Sequence, residues 1–212
     1  MRRLIAALAV TVVAATPRSA FADMNPPAVS LRPFLLVTEQ SFAAKQSFKA
    51  IFGQSAAPFV GGGVELVLHD RFYIDLAASR FQKTGQRAFL FNGQAFGLGL
   101  PLTVTETPFE VSGGYRFLPR HRINPYVGVG FGSYGYKETS ESSSSDENVD
   151  TRHAGFLVSG GAEFRLHRWV SVTADVQYTR ISGILGSSGI SKDAGESDLG
   201  GVAARFKVLV GR

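Results

Sequence analysis

A strict alternation of apolar and polar residues runs from His153 to Thr179 and constrains the fold more than any other feature of the chain. A period of two predicts a strand with one apolar and one polar face. The interruption at His167–Trp169 is short, so the two halves are expected to form a tight antiparallel hairpin. Each strand has roughly ten residues or a little more, which is the length that a tilted strand needs to cross a bilayer.

Two further stretches, Val60–Phe81 and Phe109–Tyr136, repeat this hairpin pattern. An internal repeat of hairpins predicts a meander, and a meander without open edges is a closed barrel. With strand one at Leu31–Gln40 and strand eight at Leu199–Val210, we predict an all-β fold, an eight-stranded antiparallel up-and-down transmembrane β-barrel. The short connections lie around Asp70, His121 and Arg168. The long ones are Ser41–Ala57, Thr84–Leu102, Ser140–Thr151 and Ser182–Ser197.

The long connections differ in character. In Ser41–Ala57, Phe48, Ile51 and Phe52 fall at helical spacing before Gly53, which predicts one or two amphipathic turns with Ser41 as the cap. These turns would lie at the membrane interface or fold over the barrel mouth; an ordered loop that packs on itself is the alternative. Thr84–Leu102 is expected to extend strands three and four as a hairpin beyond the membrane. Ser140–Thr151 is polar and acidic, so we expect a solvated, disordered loop.

Alternation alone does not say which face points outward, because a soluble barrel of the lipocalin type has the same period with its apolar residues inside. Two features of the polar face favour the membrane arrangement: it is rich in glycine, which suits a narrow interior, and its charges are nearly balanced, as enclosed charges must pair. They predict either an ion-paired core or the lining of a channel. The residues are Glu65, Asp75, Glu110, Arg116, Glu163, Arg165, Asp175, Arg205 and Lys207.

Aromatic residues near the strand ends are the third feature that favours a membrane barrel, because two aromatic belts are expected at the two membrane interfaces. The belt at the short connections is predicted to contain Phe72, Tyr115, Phe117, Tyr126, Phe164, Trp169 and Phe206. The belt at the long connections is predicted to contain Phe81, Phe109, Tyr134, Tyr136, Phe156 and Tyr178.

The first residues predict export. Arg2 and Arg3 precede a short apolar run, and Ala20–Ala22 forms a small-x-small cleavage site. Residues 1–22 are therefore expected to be a signal peptide cleaved after Ala22, and residues 23–212 the outer-membrane β-barrel domain. Cleavage would remove Arg2, Arg3 and Arg18 and no acidic residue, so the net charge would fall from +5 to +2. A net charge of +2 is too small for a nucleic-acid-binding protein. The chain has no cysteine, which excludes disulfides and thiolate metal sites.

The hairpins GGGVELVLHDRFYIDLAASRF, FEVSGGYRF with INPYVGVGFGSYGY, and FLVSGGAEFRLHRWVSVTADVQYT resemble the small outer-membrane β-barrel family, which includes the OmpA/OmpX-like and opacity-protein-like surface barrels. The similarity covers the whole mature chain. It implies a Gram-negative outer-membrane location, with membrane lipid and lipopolysaccharide as partners. One feature departs from that family: many members end in an aromatic residue, whereas this chain ends in Val210-Gly211-Arg212.

Catalytic chemistry is not expected. Some small outer-membrane barrels are lipid A acyl-chain enzymes with a histidine near the outer rim, but here only His153 lies near a long connection, beside a flexible serine run. No cofactor and no metal site are predicted. Three functions stay open: a structural or surface-interaction protein acting through its four long loops, a small porin-like channel, and a soluble periplasmic lipocalin-like binding barrel.

Overall fold

The computed structural model describes residues 29–91, 94–140, 149–185 and 189–211, which form eight antiparallel strands and two short helices. The strands are β1 (Val29–Phe42), β2 (Ala56–Leu68), β3 (Phe72–Phe91), β4 (Gln94–Arg116), β5 (Ile123–Thr139), β6 (Val149–His167), β7 (Val170–Arg180) and β8 (Gly201–Val210). Helix α1 (Lys45–Phe52) follows β1, and helix α2 (Gly189–Asp193) follows β7. Neither helix is long and apolar enough to cross a membrane. The predicted signal peptide lies outside the described residues.

The strands form a closed barrel in chain order. Each strand pairs with the next one along the chain, and β1 also pairs with β8, from Phe34 opposite Leu209 to Phe42 opposite Gly201. The predicted eight-stranded up-and-down barrel is confirmed. Because the barrel is closed, no described strand has a free edge within it. A sheet in lipid needs this arrangement because its backbone polar groups have no water to bind.

The apolar side chains of the alternating pattern face outward. Val129 and Phe131 on β5 are 65% and 68% exposed, whereas Glu65 on β2 and Asp75 on β3 are 5% and 3% exposed. A soluble barrel would bury the first pair and expose the second, because water solvates carboxylates and not valine. The soluble periplasmic alternative is therefore wrong, and the outward face is the one that meets lipid.

The outward apolar band ends abruptly on the long-loop side. On β4 the continuous apolar band ends at Phe109, and the next outward position is Thr107. On β7 exposed Tyr178 is followed by exposed Arg180. The strands continue beyond this level by different amounts, since β3 and β4 have 20 and 23 residues and β7 and β8 only 11 and 10. We call the part of the barrel above the apolar band the outer extension.

The β2–β3 connection is a tight turn. Leu68 pairs with Phe72, and His69 and Asp70 between them adopt left-handed backbone angles with φ of 49° and 62°. Left-handed residues match the twist of a short hairpin, and aspartate tolerates this conformation better than most side chains. The short connection predicted around Asp70 is confirmed.

Helix α1 folds over the outer mouth of the barrel, as one of the predicted alternatives proposed. It ends at Gly53, whose φ of 74° lets its N–H bind the carbonyl of Lys49. The expectation that Ser41 caps the helix is wrong, because Ser41 remains in β1. Instead Glu196, from the connection between β7 and β8, accepts hydrogen bonds at 2.9 Å from the free N–H groups of Gln46 and Ser47.

One of the other long connections, Ser140–Thr151, also differs in part from the prediction, whereas Thr84–Leu102 agrees with it. Val149–Thr151 is not loop but the start of β6, and Ser140 is buried with its hydroxyl donating to the carbonyl of Pro101 at 2.9 Å. Residues 141–148 of that predicted disordered loop lie outside the described residues. The predicted hairpin in Thr84–Leu102 is confirmed, with Phe91 pairing with Gln94 at its tip.

Candidate functional site

The lower half of the barrel interior contains a buried network of two arginines and two glutamates. Arg32 on β1 donates from Nε to Glu65 on β2 at 2.8 Å and from Nη1 to Glu163 on β6 at 2.8 Å. Arg116 on β4 makes a second ion pair with Glu163. All four side chains are at most 7% exposed. Glu163 thus joins β6 to β1 and β4 across the interior.

A second network surrounds Arg205 on β8. Its Nε donates to Asp175 on β7 at 2.6 Å, and its Nη1 lies 3.6 Å from Glu110 on β4. The hydroxyl of Tyr126 donates to the other oxygen of Asp175 at 2.6 Å, and that of Tyr134 donates to Glu110 at 2.9 Å. Both acids are therefore shared between a guanidinium and a phenol.

A third pair joins β8 to β3. Lys207 forms a buried ion pair with Asp75, and its ammonium lies 5.0 Å from the centre of the Phe34 ring. Eight of the nine charged residues that the sequence predicts inside the barrel are thus brought together there. The residues are Glu65, Asp75, Glu110, Arg116, Glu163, Asp175, Arg205 and Lys207. Their pairing favours an ion-paired core over a channel lining.

Glycines on the inner face make room for aromatic rings rather than for water. A Cβ placed on Gly114 would lie 2.6 Å from Cζ of Tyr73, and one on Gly128 would collide with the hydroxyl of the same side chain. Tyr73 is 3% exposed and packs edge-to-face on Tyr126, with ring centres 5.6 Å apart. The small residues and the large rings are therefore complementary parts of one filled interior.

The upper end of the interior is filled by apolar side chains that we call the outer plug. It combines inward residues of the outer extension with residues of α1 and of the β7–β8 connection. Its members are Phe42, Ala44, Phe48, Ile51, Ala57, Phe59, Phe81, Leu102, Val104, Tyr134, Tyr136, Ile181, Ile184, Ile190 and Leu199. Phe48 of α1 stacks on Phe42 with ring centres 3.8 Å apart and is 2% exposed. Helix α1 is therefore part of the core and not a free loop.

Glu106 is the exception within this apolar region. It is 1% exposed, and both of its carboxyl oxygens are buried without a hydrogen-bond partner. Its Cα lies opposite Phe81 on β3 and Tyr136 on β5, both members of the outer plug. Burial of an unpaired carboxylate is costly, so this side chain weakens the region in which it lies.

Five sequence predictions about side-chain direction are wrong. Arg165 is exposed and donates to the carbonyl of Pro119 at 3.0 Å, because its inward position on β6 falls where the barrel opens at the short-turn end. The other four are aromatic residues assigned to the belts that point inward and are 2% to 6% exposed: Phe81, Tyr126, Tyr134 and Tyr136. In the alternation along their strands, all four occupy positions that face the interior.

Eight of the remaining predicted belt residues are 37% to 54% exposed on the outside, and Tyr115 is half-buried. The eight are Phe72, Phe109, Phe117, Phe156, Phe164, Trp169, Tyr178 and Phe206. Their role at the membrane interfaces stays a prediction.

Sequence reasoning missed Arg32 and Glu106. Arg32 precedes the run Phe34–Val37, in which apolar residues occupy both faces of β1 and hide the alternation. Glu106 carried a usable signal, because it lies four residues before Glu110 on the same strand and therefore on the same face.

The hairpin of β3 and β4 is the most prominent part of the outer extension. Pairing of β3 with β2 ends at Arg80, and pairing of β4 with β5 ends at Thr103, so the remainder is a two-stranded ribbon. Three apolar side chains on its β4 strand are exposed: Phe96 at 43%, Leu98 at 53% and Leu100 at 37%.

The histidines do not form a catalytic arrangement in the described part of the chain. His69, His121 and His167 are exposed at the short connections. His153 lies on β6 opposite Tyr134, and its Nδ1 atom is buried without a hydrogen-bond partner. No described serine or carboxylate therefore orients it as a general base.

Comparisons with known proteins agree with this architecture. The N-terminal β-barrel domain of Pseudomonas aeruginosa OprF is 14% identical, with a TM-score of 0.51, and the alignment covers 86% of this chain and 97% of that one. OprG from Pseudomonas aeruginosa is 13% identical, with a TM-score of 0.50 and coverage of 87% and 93%. A major outer membrane protein from Thermus thermophilus is 12% identical, with a TM-score of 0.50 and coverage of 85% and 99%.

At these identities the solved structures establish the fold alone. No curated protein matches the chain significantly. The profile of the outer membrane protein beta-barrel domain family matches residues 5–206, which is nearly the whole sequence. This chain therefore belongs to the outer membrane protein beta-barrel domain family, and its environment is the lipid of the outer membrane.

Proposed function

We propose that this protein is a non-conducting, non-catalytic outer-membrane barrel that presents its outer extension to partners at the cell surface. The observation that carries this proposal is the filled interior: eight predicted charges pair within it, and the outer plug covers its upper end. A barrel whose interior is occupied by ion pairs and rings offers its outside surfaces for function. The porin-like alternative requires the same charges to line open space instead.

Conductance of the refolded protein in a planar lipid bilayer tests this part of the proposal. We expect inserted barrels to stay silent, both as wild type and as F48A/I51A, which removes two α1 side chains from the outer plug. If only the variant conducts, α1 is the element that closes the barrel. Discrete conductance steps from the wild type would contradict the proposal and make residues such as Glu110 and Arg205 selectivity residues.

The β3–β4 ribbon is the proposed contact surface. Beyond Phe81 it adds about ten residues to β3, or roughly 30 Å of strand. Its exposed Phe96, Leu98 and Leu100 form an apolar surface with no counterpart elsewhere among the described parts of the outer extension. Its two outer edges have unpaired backbone groups, which can pair with an extended segment of another chain. A partner with an apolar surface or an open strand edge fits this ribbon.

Adhesion of cells that carry the protein tests the role of the ribbon. Cells expressing F96S/L98S/L100S are expected to bind polystyrene beads at least about fivefold less than wild-type cells, because burial of each large apolar side chain contributes roughly 1.5–3 kcal/mol. The matched control Q82S/Q86S changes exposed polar residues on the same ribbon and is expected to have no effect. Equal adhesion of the apolar variant and the control would contradict this role.

Lipopolysaccharide is the proposed lipid partner of the outer extension. Arg80 on β3 and Arg152 on β6 are exposed outward just above the apolar band, where the phosphates of the outer leaflet lie. Arginine binds phosphate through paired N–H groups, so both are suited to this contact. Retention of lipid A by R80Q/R152Q, measured by native mass spectrometry, is expected to fall for phosphorylated lipid A only; an equal fall for dephosphorylated lipid A would contradict the proposal.

A further inference from the structure

The short connections at the other end of the barrel form a strongly basic rim. The segments 68–72, 117–122 and 165–169 contain five arginines and one acid, Asp70, a formal net charge of +4 with histidines neutral. The arginines are Arg71, Arg120, Arg122, Arg165 and Arg168, and all are exposed. Among the described residues none of them makes an ion pair. The long connections carry formal charges of +2 (Ser41–Ala57), +1 (Thr84–Leu102), −4 (Ser140–Thr151) and −1 (Ser182–Ser197), a net charge of −2, so the short-turn rim differs in sign from the four taken together.

A cleft of about 350 Å³ lies within this rim, between the β2–β3 turn and the β4–β5 connection. Two arginines and two histidines line it, together with the one acid of the rim. The lining residues are His69, Asp70, Arg71, Phe117, Leu118, Pro119, Arg120 and His121. A concave surface with several cationic donors and one carboxylate is suited to a singly charged anionic group.

The walls of the cleft are held in place by hydrogen bonds. The backbone N–H of Arg116 donates to the carbonyl of Arg71 at 2.7 Å, which fixes the two connections to each other. The buried side chain of Asn124 accepts from the N–H of Leu118 at 3.0 Å. Arg165 donates to the carbonyl of Pro119 at 3.0 Å. The cleft therefore exists before any ligand binds, which lowers the entropic cost of binding.

The side of the cleft that faces the bilayer is apolar. Phe117 and Leu118 line it and are 47% and 44% exposed, and Phe72 nearby is 54% exposed and continues the outward apolar band. A ligand in this position meets cationic groups at its head and an apolar surface along its tail. Short connections of outer-membrane barrels face the periplasm, so the lipid at this level is the phospholipid of the inner leaflet.

We propose that this cleft binds the phosphodiester headgroup of an anionic phospholipid. Arg71 and Arg120 contact the phosphate, and the acyl chains lie along Phe117 and Leu118. Basic pockets that border a membrane bind anionic headgroups by this combination of charge and apolar contact. Arg71 also donates to the hydroxyl of Tyr115 at 2.6 Å, which holds its guanidinium at the cleft.

Native mass spectrometry of the refolded protein, titrated with phosphatidylglycerol and with phosphatidylcholine of the same acyl chains, tests the proposal. Phosphatidylglycerol is expected to bind more tightly, and R71Q/R120Q is expected to weaken it about 30-fold, since each basic side chain near an anionic lipid contributes about fivefold. The control K45Q/K49Q removes two exposed charges of α1 at the opposite end and is expected to leave binding unchanged.

Three results would overturn the proposal: equal binding of the two lipids, unchanged phosphatidylglycerol binding by R71Q/R120Q, or equal losses in this variant and the control. Displacement of phosphatidylglycerol by millimolar inorganic phosphate would also overturn it, because the cleft would then be a site for free anions. Heat-modified electrophoretic mobility shows whether each variant has folded. If R71Q/R120Q does not fold, R120Q carries the same test with an expected loss of about fivefold, because Arg120 makes no hydrogen bond with the described residues.

Discussion

Replacement of Glu163 by glutamine removes a charge that two buried arginines share. Arg32 retains Glu65 after this change, but Arg116 loses the acid with which it pairs. The guanidinium of Arg116 is 5% exposed, so water does not replace the lost carboxylate. Removing one partner of a buried ion pair costs about 3–5 kcal/mol because an uncompensated charge is left inside. We expect E163Q to lower the free energy of unfolding by that amount.

The neighbouring variant E65Q provides an internal comparison. Arg32 then keeps both of its hydrogen bonds to Glu163, at 2.8 and 3.0 Å, and no arginine is left without an acid. The loss is expected to be only about 1–3 kcal/mol, the cost of weakening one charged hydrogen bond. R180Q serves as a control, since Arg180 is 57% exposed and lies 3.6 Å from Asp198. Exposed pairs contribute less than about 1 kcal/mol.

Urea unfolding of the refolded barrel in lipid vesicles measures all three variants. The single tryptophan, Trp169, is 47% exposed at the short-turn rim, so its fluorescence reports loss of the membrane environment. The expected order of destabilisation is E163Q, then E65Q, then R180Q. Equal losses for E163Q and E65Q, or a loss below about 1 kcal/mol for E163Q, would refute the assigned pairing and indicate water around these charges.

Three further variants test other parts of the interior. G114A is expected to destabilise the barrel by about 1–3 kcal/mol because its Cβ would collide with the carbonyl oxygen of Val127 and lie 2.5 Å from the ring of Tyr73. G113A, whose Cβ has only an ordinary contact at 3.4 Å, is expected to be tolerated, and urea unfolding measures both. E106L is expected to raise the urea midpoint, because it removes a buried carboxyl without partners. F48A is expected to cost about 3–5 kcal/mol and to make α1 sensitive to trypsin, which gel electrophoresis detects.

The barrel itself could be predicted from the sequence because the pattern that specifies each strand lies in neighbouring residues. Alternation of period two identifies a strand and its faces from neighbouring residues, and β7 with Val176 outside and Gln177 inside shows this plainly. The pattern could not be interpreted where apolar residues occupy both faces, as around Arg32 on β1. Aromatic residues such as Tyr126 carry two conflicting signals, because a ring near a strand end is typical of a membrane interface whereas its position in the alternation is that of the inner face.

The contents of the interior could be predicted only in part. The strand and the face on which a charged residue lies can be predicted from its neighbours in the sequence. Its ion-pair partner cannot, because the partner can lie on a strand far away in the chain, as Asp75 does for Lys207. The capping of α1 by Glu196 is equally non-local, since 149 residues separate Glu196 from Ser47. No rule of sequence spacing relates residues so far apart, so these contacts can be identified only in the structure of the closed barrel.

The ion pairs across the interior have a consequence for assembly. Arg32 and Glu163 lie on β1 and β6, and Asp75 and Lys207 on β3 and β8, so neither pair joins strands that are neighbours in the sheet. An open, partly assembled sheet cannot form either pair and would hold its charges against lipid without compensation. The interior thereby makes closure all-or-none: only the complete ring of eight strands is a low-energy state in the membrane.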